Sequence, residues 1–165
     1  MEALYPRLKQ AHVLVLITPV YVPLPGAMQS VIKRLSPLAR PFLETRAGRT
    51  RARFPPDVSV RRIALVSTGA WWEKENFDTV VRIGEEFAEN GSVPSAGAVL
   101  RPHAFLTRQN GEWKWTEDAE AVLAAVRRAR HQSIADVEFA KGALEAIRRP
   151  LISEDELRRR HNELV

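Results

Sequence analysis

Residues 13–26, VLVLITPVYVPLPG, constrain the fold more than any other stretch. Val13, Leu14, Val15, Leu16 and Ile17 form an unbroken apolar run. A strand reads this way when both of its faces are covered, as in a parallel sheet flanked by helices. Pro19 ends the run, because it has no N–H for a ladder and disfavours helix at Thr18. Tyr21 follows among Pro19, Pro23 and Pro25. After Gly26, the residues Met28, Val31, Ile32 and Leu35 recur at helical spacing. Rigid loops at the carboxyl end of a parallel strand are where doubly wound folds bind ligands. A stiff connection without function would carry the same residues.

The pattern then repeats. Residues 63–66 are a second apolar run, followed by Ser67-Thr68-Gly69, Trp71 and Trp72. Phe77, Val80, Val81, Gly84 and Phe87 predict a helix, with Asn90-Gly91 as its left-handed end. A third strand is expected over residues 96–100, ending at Arg101-Pro102-His103. Asn110-Gly111, flanked by 105–107 and 113–115, predicts a hairpin with Trp113 and Trp115 on one face. Thr116-Glu117-Asp118 opens a helix carrying Val122, Ala125, Val126 and Ala129. Ile134, Val137, Ala140, Leu144 and Ile147 mark another, which Pro150 breaks. Ser153 with Glu156 forms a capping box, and Ile152 with Leu157 a hydrophobic staple, for a last helix. Residues 2–10 predict a short amphipathic helix before the first strand.

Strand–helix alternation of this length implies a parallel sheet with right-handed crossovers. Tyr21, Trp71, Trp72, His103 and Phe105 are then expected on one sheet edge. Such an edge, with backbone N–H groups from Ser-Thr-Gly, suits a flat heteroaromatic ring such as a flavin or a base. Ordinary helix-packing aromatics are the alternative. His103 reads as a structural histidine. Residues 45–56 read as a basic loop with Arg46, Arg49, Arg51 and Arg53. With no aromatic but Phe54 interleaved, a solvated connection is preferred to a nucleic-acid surface.

Composition sets the outer bounds. At 165 residues, 45% hydrophobic and 27% charged, one domain with a real core is expected over residues 1–165. No cysteine is present, which excludes disulfides, thiolate catalysis and cysteine-held clusters. No apolar run approaches the ~20 residues of a membrane span. The first ten residues lack the pattern of a signal peptide, so the expected location is cytoplasmic.

Two loops carry a resemblance. Thr18-Pro19-Val20-Tyr21, with Arg34-Leu35 at the end of the next helix, resembles the flavin loop of the NADPH-dependent FMN reductase family. That family is a flavodoxin-like group that includes iron–sulfur flavoproteins. IALVSTGAWWEKENFD, residues 63–78, is similar to the family's next strand and loop. Arg149-Pro150-Leu151-Ile152-Ser153 is similar to its tail.

The resemblance implies an α/β, flavodoxin-like, three-layer α/β/α fold with a truncated parallel sheet. It implies FMN as cofactor and NAD(P)H as reductant, with a small molecule or another flavin as electron acceptor. By carry-over, Thr18, Pro19, Val20, Tyr21 and Val22 line one side of the isoalloxazine. Ser67, Thr68, Gly69, Ala70 and Trp71 approach it from the next loop. Hydride transfer between nicotinamide and flavin requires no acid–base residue, and none is assigned.

Three departures accompany the resemblance. Val22 stands where many members carry Trp. The iron–sulfur branch's cysteines are absent. The family's first strand and phosphate loop have no counterpart before Val13, so the chain is expected to be the family's C-terminal portion, or to hold the phosphate otherwise, with Arg46–Arg53 as the candidate. The first strand is then expected at a sheet edge, and a homo-oligomer is expected. The rival is a non-catalytic interaction module that has lost flavin.

Overall fold

A computed structural model describes residues 3–107, 117–136, 139 and 141–163. The predicted hairpin around Asn110-Gly111, with Trp113 and Trp115, lies outside them. The contacts divide the chain into two compact units, the first comprising Met1–Ser67 and Phe77–Ala98, the second Thr68–Asn76 and Val99–Val165.

The fold is mixed α/β. Strands β1 (Val13–Pro19), β4 (Arg62–Thr68) and β5 (Ser95–Arg101) form a three-stranded parallel sheet in the order β1-β4-β5. Strands β2 (Arg40–Arg46) and β3 (Arg49–Arg53) form a separate antiparallel pair. The helices are α1 (Tyr5–Gln10), α2 (Gly26–Leu35), α3 (Asp78–Gly91), α4 (Glu117–Asp136), α5 (Lys141–Arg148) and α6 (Glu154–Asn162). Among the described residues no helix is long and apolar enough to cross a membrane.

Similar letters have different fates in β1 and β4. Ile63, Ala64 and Leu65 of the central β4 are all buried, at 1%, 3% and 4% exposure. This strand has both faces covered. In β1 burial alternates. Leu16 and Thr18 are buried, whereas Val13, Val15 and Ile17 are 40%, 45% and 68% exposed. The expectation of two covered faces is therefore corrected for β1. Its edge position agrees with the sequence reading.

In the first unit, α2 starts after Pro23 and Pro25 and gives way at Leu35 to a 3-10 turn, Ser36–Leu38. Of its apolar series only Leu35 is buried, and Val31 is 44% exposed.

The stretch read as a basic loop over residues 45–56 contains the end of β2, the turn and all of β3. The β2–β3 register pairs Glu44 with Arg51, Thr45 with Thr50 and Arg46 with Arg49. The turn is Ala47-Gly48, at φ 48° and 73°. Two consecutive left-handed residues are the requirement of the tight hairpin turn whose twist matches its strands. The alternating arginines of β3 carry no apolar period, which is why sequence reasoning passed over that strand.

Helix α3 buries Val80, Gly84, Ala88 and Gly91. Its left-handed cap is Ser92, at φ 59°, one residue beyond the predicted Asn90-Gly91. Gly91 has a different task. A Cβ there would lie 2.5 Å from Phe54 Cε2 and 2.7 Å from Cζ. Phe54, just after β3, also donates its N–H to the Gly91 carbonyl at 3.1 Å. Gly91→Ala should therefore cost stability. Overpacking typically costs ~1–3 kcal/mol, against a helix-propensity gain of ~1 kcal/mol from replacing glycine. Chemical denaturation should show a net loss, and adding Phe54→Leu should recover part of it.

In the second unit, α4 runs unbroken through Asp136, beyond the expected boundary, and buries Ala119, Val122 and Ala125. Helix α5 buries Ile147 and ends before Pro150. Helix α6 begins as predicted, with Ser153 Oγ accepting the Glu156 N–H at 3.2 Å. Leu157 is buried beneath it.

Candidate functional site

The predicted site residues fall into both units. Thr18 to Val22 and Ser67 belong to the first, and Thr68 to Trp71 to the second.

In the first unit, Thr18 is 3% exposed and its Oγ1 donates to the Pro19 carbonyl at 3.1 Å. The Tyr21 N–H donates to the Pro23 carbonyl at 3.0 Å, closing the proline loop on itself. That loop presents Tyr21 and Val22 outward, 71% and 98% exposed. Val22 has φ 25°, a conformation β-branched residues rarely hold. Ser67 is fully buried, and its Oγ has no hydrogen-bond partner.

The arginines read as a phosphate candidate are engaged elsewhere in this unit. Arg49 Nη1 lies 2.7 Å from Glu86 Oε1. Arg51 Nη2 lies 2.7 Å from Glu86 Oε2 and 3.1 Å from Glu89 Oε2. Arg82 joins both glutamates. These partners hold both carboxyls below their ordinary range, the Arg82 hydrogen bond first for Glu86 and the Arg51 hydrogen bond first for Glu89. Arg46 Nη2 donates to the Glu89 carbonyl at 2.8 Å.

In the second unit, the loop after β4 is stitched to the loop after β5. The Gly69 N–H donates to the Arg101 carbonyl, and the Ala104 N–H to the Gly69 carbonyl, both at 3.0 Å. The Gly69 N–H is therefore not open to a ring edge, unlike the expected role of the Ser-Thr-Gly loop. Trp71, 46% exposed, meets His161 of α6 edge to face at 5.6 Å. Trp72 leans on His103 at 5.9 Å.

His103 is fully buried and sits at φ 52°. Neither ring nitrogen has a hydrogen-bond partner, and Nε2 is 3.5 Å from Glu154 Oε1. Burial pushes its pKa down, partly opposed by Glu154. Arg101 is 8% exposed, and burial, with Arg149 nearby, lowers its pKa to about 10.

Trp72 and His103 thus meet, as the sequence suggested. Phe105 is 51% exposed. Sequence reasoning missed Arg101, Glu154 and His161. Arg101 looked like the polar end of a strand, and Glu154 like first-turn acid on a capped helix. Only the fold relates them to His103 and Trp71.

The chain matches no protein-family model, no curated protein and no solved structure.

Proposed function

We propose that this chain is a flavodoxin-like, three-layer α/β/α flavoprotein that binds FMN and acts as an NAD(P)H-dependent oxidoreductase, or is the C-terminal portion of one. The observation that carries the reading is strand adjacency. The two loops that resemble the FMN reductase family leave the same ends of β1 and β4, which are neighbours in a parallel sheet. Ligands of open parallel sheets bind outside the carboxyl ends of the strands. In this reading Thr18, Pro19, Val20, Tyr21 and Val22 line the isoalloxazine, with Tyr21 as its stacking face. Ser67, Thr68, Gly69, Ala70 and Trp71 approach it from the second loop. Bound FMN supplies hydride exchange with nicotinamide, and the chain supplies orientation and shielding. The electron acceptor is a small molecule or a second flavin, and the active species is a homo-oligomer.

Incubation with FMN followed by desalting should leave a yellow protein. Tyr21→Ala and Trp71→Ala should each weaken FMN binding by roughly fivefold or more, as stacked aromatics contribute ~1 kcal/mol beyond burial. Trp115→Ala, in neither loop, should not. Equal affinity in all three variants would overturn the assignment.

A non-catalytic interaction module is the second reading. The pairing of Arg49 and Arg51 with Glu86 and Glu89 favours it, since these arginines are not free to hold a flavin phosphate. A colourless protein after the same incubation would select this reading.

A further inference from the structure

Arg101 and His103 are the most deeply buried ionisable side chains among the described residues. Arg101 ends β5, and its Nη1 donates to the carbonyls of Ile147 and Arg149, at the C-terminal end of α5. A structural role as helix cap accounts for that nitrogen alone. Nε and Nη2 are also closed to solvent, and they have no hydrogen-bond partner. Those two nitrogens share one edge of the guanidinium. Their N–H bonds run side by side, in the geometry that grips a carboxylate or a phosphate through two hydrogen bonds.

A buried guanidinium without an anion is costly. Among the described residues no carboxylate pairs with it. His103, two residues on, adds a fully buried imidazole whose Nδ1 has no hydrogen-bond partner and whose Nε2 faces Glu154 at 3.5 Å, close enough to Arg101 to feel its charge. A groove of about 480 Å³ is lined by two neighbours of His103, though by neither Arg101 nor His103 itself. Its wall includes Trp72, which leans on His103, and Glu154, 3.5 Å from the His103 ring. Pro150 and Leu151, next along from the Arg149 carbonyl that Arg101 holds, line it as well.

We propose that Arg101, with His103 beside it, receives an oxyanion group, a phosphate or a carboxylate, entering from this groove. Trp72, which lines the groove and leans on His103, shifts to admit the group. Glu154 then turns from His103 towards Arg158, whose Nη2 is already 3.7 Å from its Oε2. The ligand body rests on the apolar wall of Trp72, Pro150 and Leu151. No flavin is required, so the inference stands or falls independently of the FMN assignment.

The test titrates the purified chain with inorganic phosphate, and separately with acetate, against chloride at matched ionic strength. The expected result is a saturable rise in the unfolding midpoint with one or both anions, since a ligand that binds only the folded state stabilises it. A rise with phosphate alone assigns a phosphate ligand, and a rise with acetate admits carboxylates. Arg101→Lys keeps the charge and loses the fork, and should weaken the response by about tenfold. In the wild-type protein, the Arg101 Nε–H resonance should move along the same titration curve. This readout decides the matter if Arg101→Lys fails to fold. No saturable rise with either anion overturns the proposal. So does a rise that Arg101→Lys leaves unchanged, or one during which the Arg101 resonance stays fixed.

Discussion

Wild-type protein at micromolar concentration should sediment as a dimer or larger species, and Val15→Lys should return it to the monomer. Strand β1 lies at the sheet edge, and Val13, Val15 and Ile17 stand exposed along it. From residue 11 to residue 32 the sequence contains no Asp, Glu, Lys or Arg. Natural edge strands are blunted by charge, proline or a bulge, and residues 13–18 carry none of these. An uncharged edge is its own complement, so two copies can pair antiparallel about a two-fold axis. The substitution then acts twice in each dimer. Like charges brought together across a strand pair cost up to ~1 kcal/mol each, enough to weaken association by roughly tenfold or more. Because Val15 is 45% exposed, its replacement buries no charge in the folded monomer. Sedimentation velocity over a dilution series checks both states. A wild-type monomer at every concentration would show that the edge needs no partner.

The second large effect is expected at Phe77. Its ring is 1% exposed, immediately before α3. Phe77→Ala should lower the unfolding free energy by ~3–5 kcal/mol, the usual cost of removing a buried aromatic. The consequence reaches the candidate loop. Residues 68–76 run between two fully buried anchors, Ser67 at 0% and Phe77 at 1% exposure. Loss of the second frees the loop end that follows Trp71 and Trp72. Denaturant melts measure the stability loss. Faster amide exchange at Lys74 and Asn76 than at Leu65, under native conditions, would report the local loosening. A stability change below ~1 kcal/mol would show that the ring is not an anchor.

The parallel strands, α3, α5 and the cap of α6 were legible because each rests on local chemistry. Apolar runs stop at proline, a 3.6-residue period shows in Val80, Gly84 and Ala88, and a serine precedes Glu156 by three. The β2–β3 hairpin was illegible for an equally physical reason. Its strands are held by Arg–Glu pairs to α3 and by backbone ladder bonds, neither of which leaves a hydrophobic period. The apolar run of β1 misled in the opposite direction. Letters that suit two covered faces occupy a strand whose burial alternates, although its place at a sheet edge was expected. At the candidate site, the aromatic loops were visible in sequence, as was the meeting of Trp72 with His103. The buried fork of Arg101 was not, because a strand-terminal arginine is ordinarily solvated and nothing local says that residues 147–149 will enclose it.

The attachment of the hairpin to α3 makes that joint a property of the medium as much as of the chain. Arg49 and Arg51 reach Glu86 and Glu89 across it, with Arg82 joining both from α3 itself, while Phe54 supplies one apolar contact at Gly91. Mobile ions screen such a fastening without touching the apolar interior of the sheet. Acid acts later and on the same joint. Because the folded pKa values of both glutamates lie below their ordinary 4.5, the attachment is complete above that value and fades only as the pH falls through the depressed ones. Brine and strong acid would thus loosen one appendage of the first unit, leaving it the Phe54 N–H bond to the Gly91 carbonyl, while β4 keeps its place.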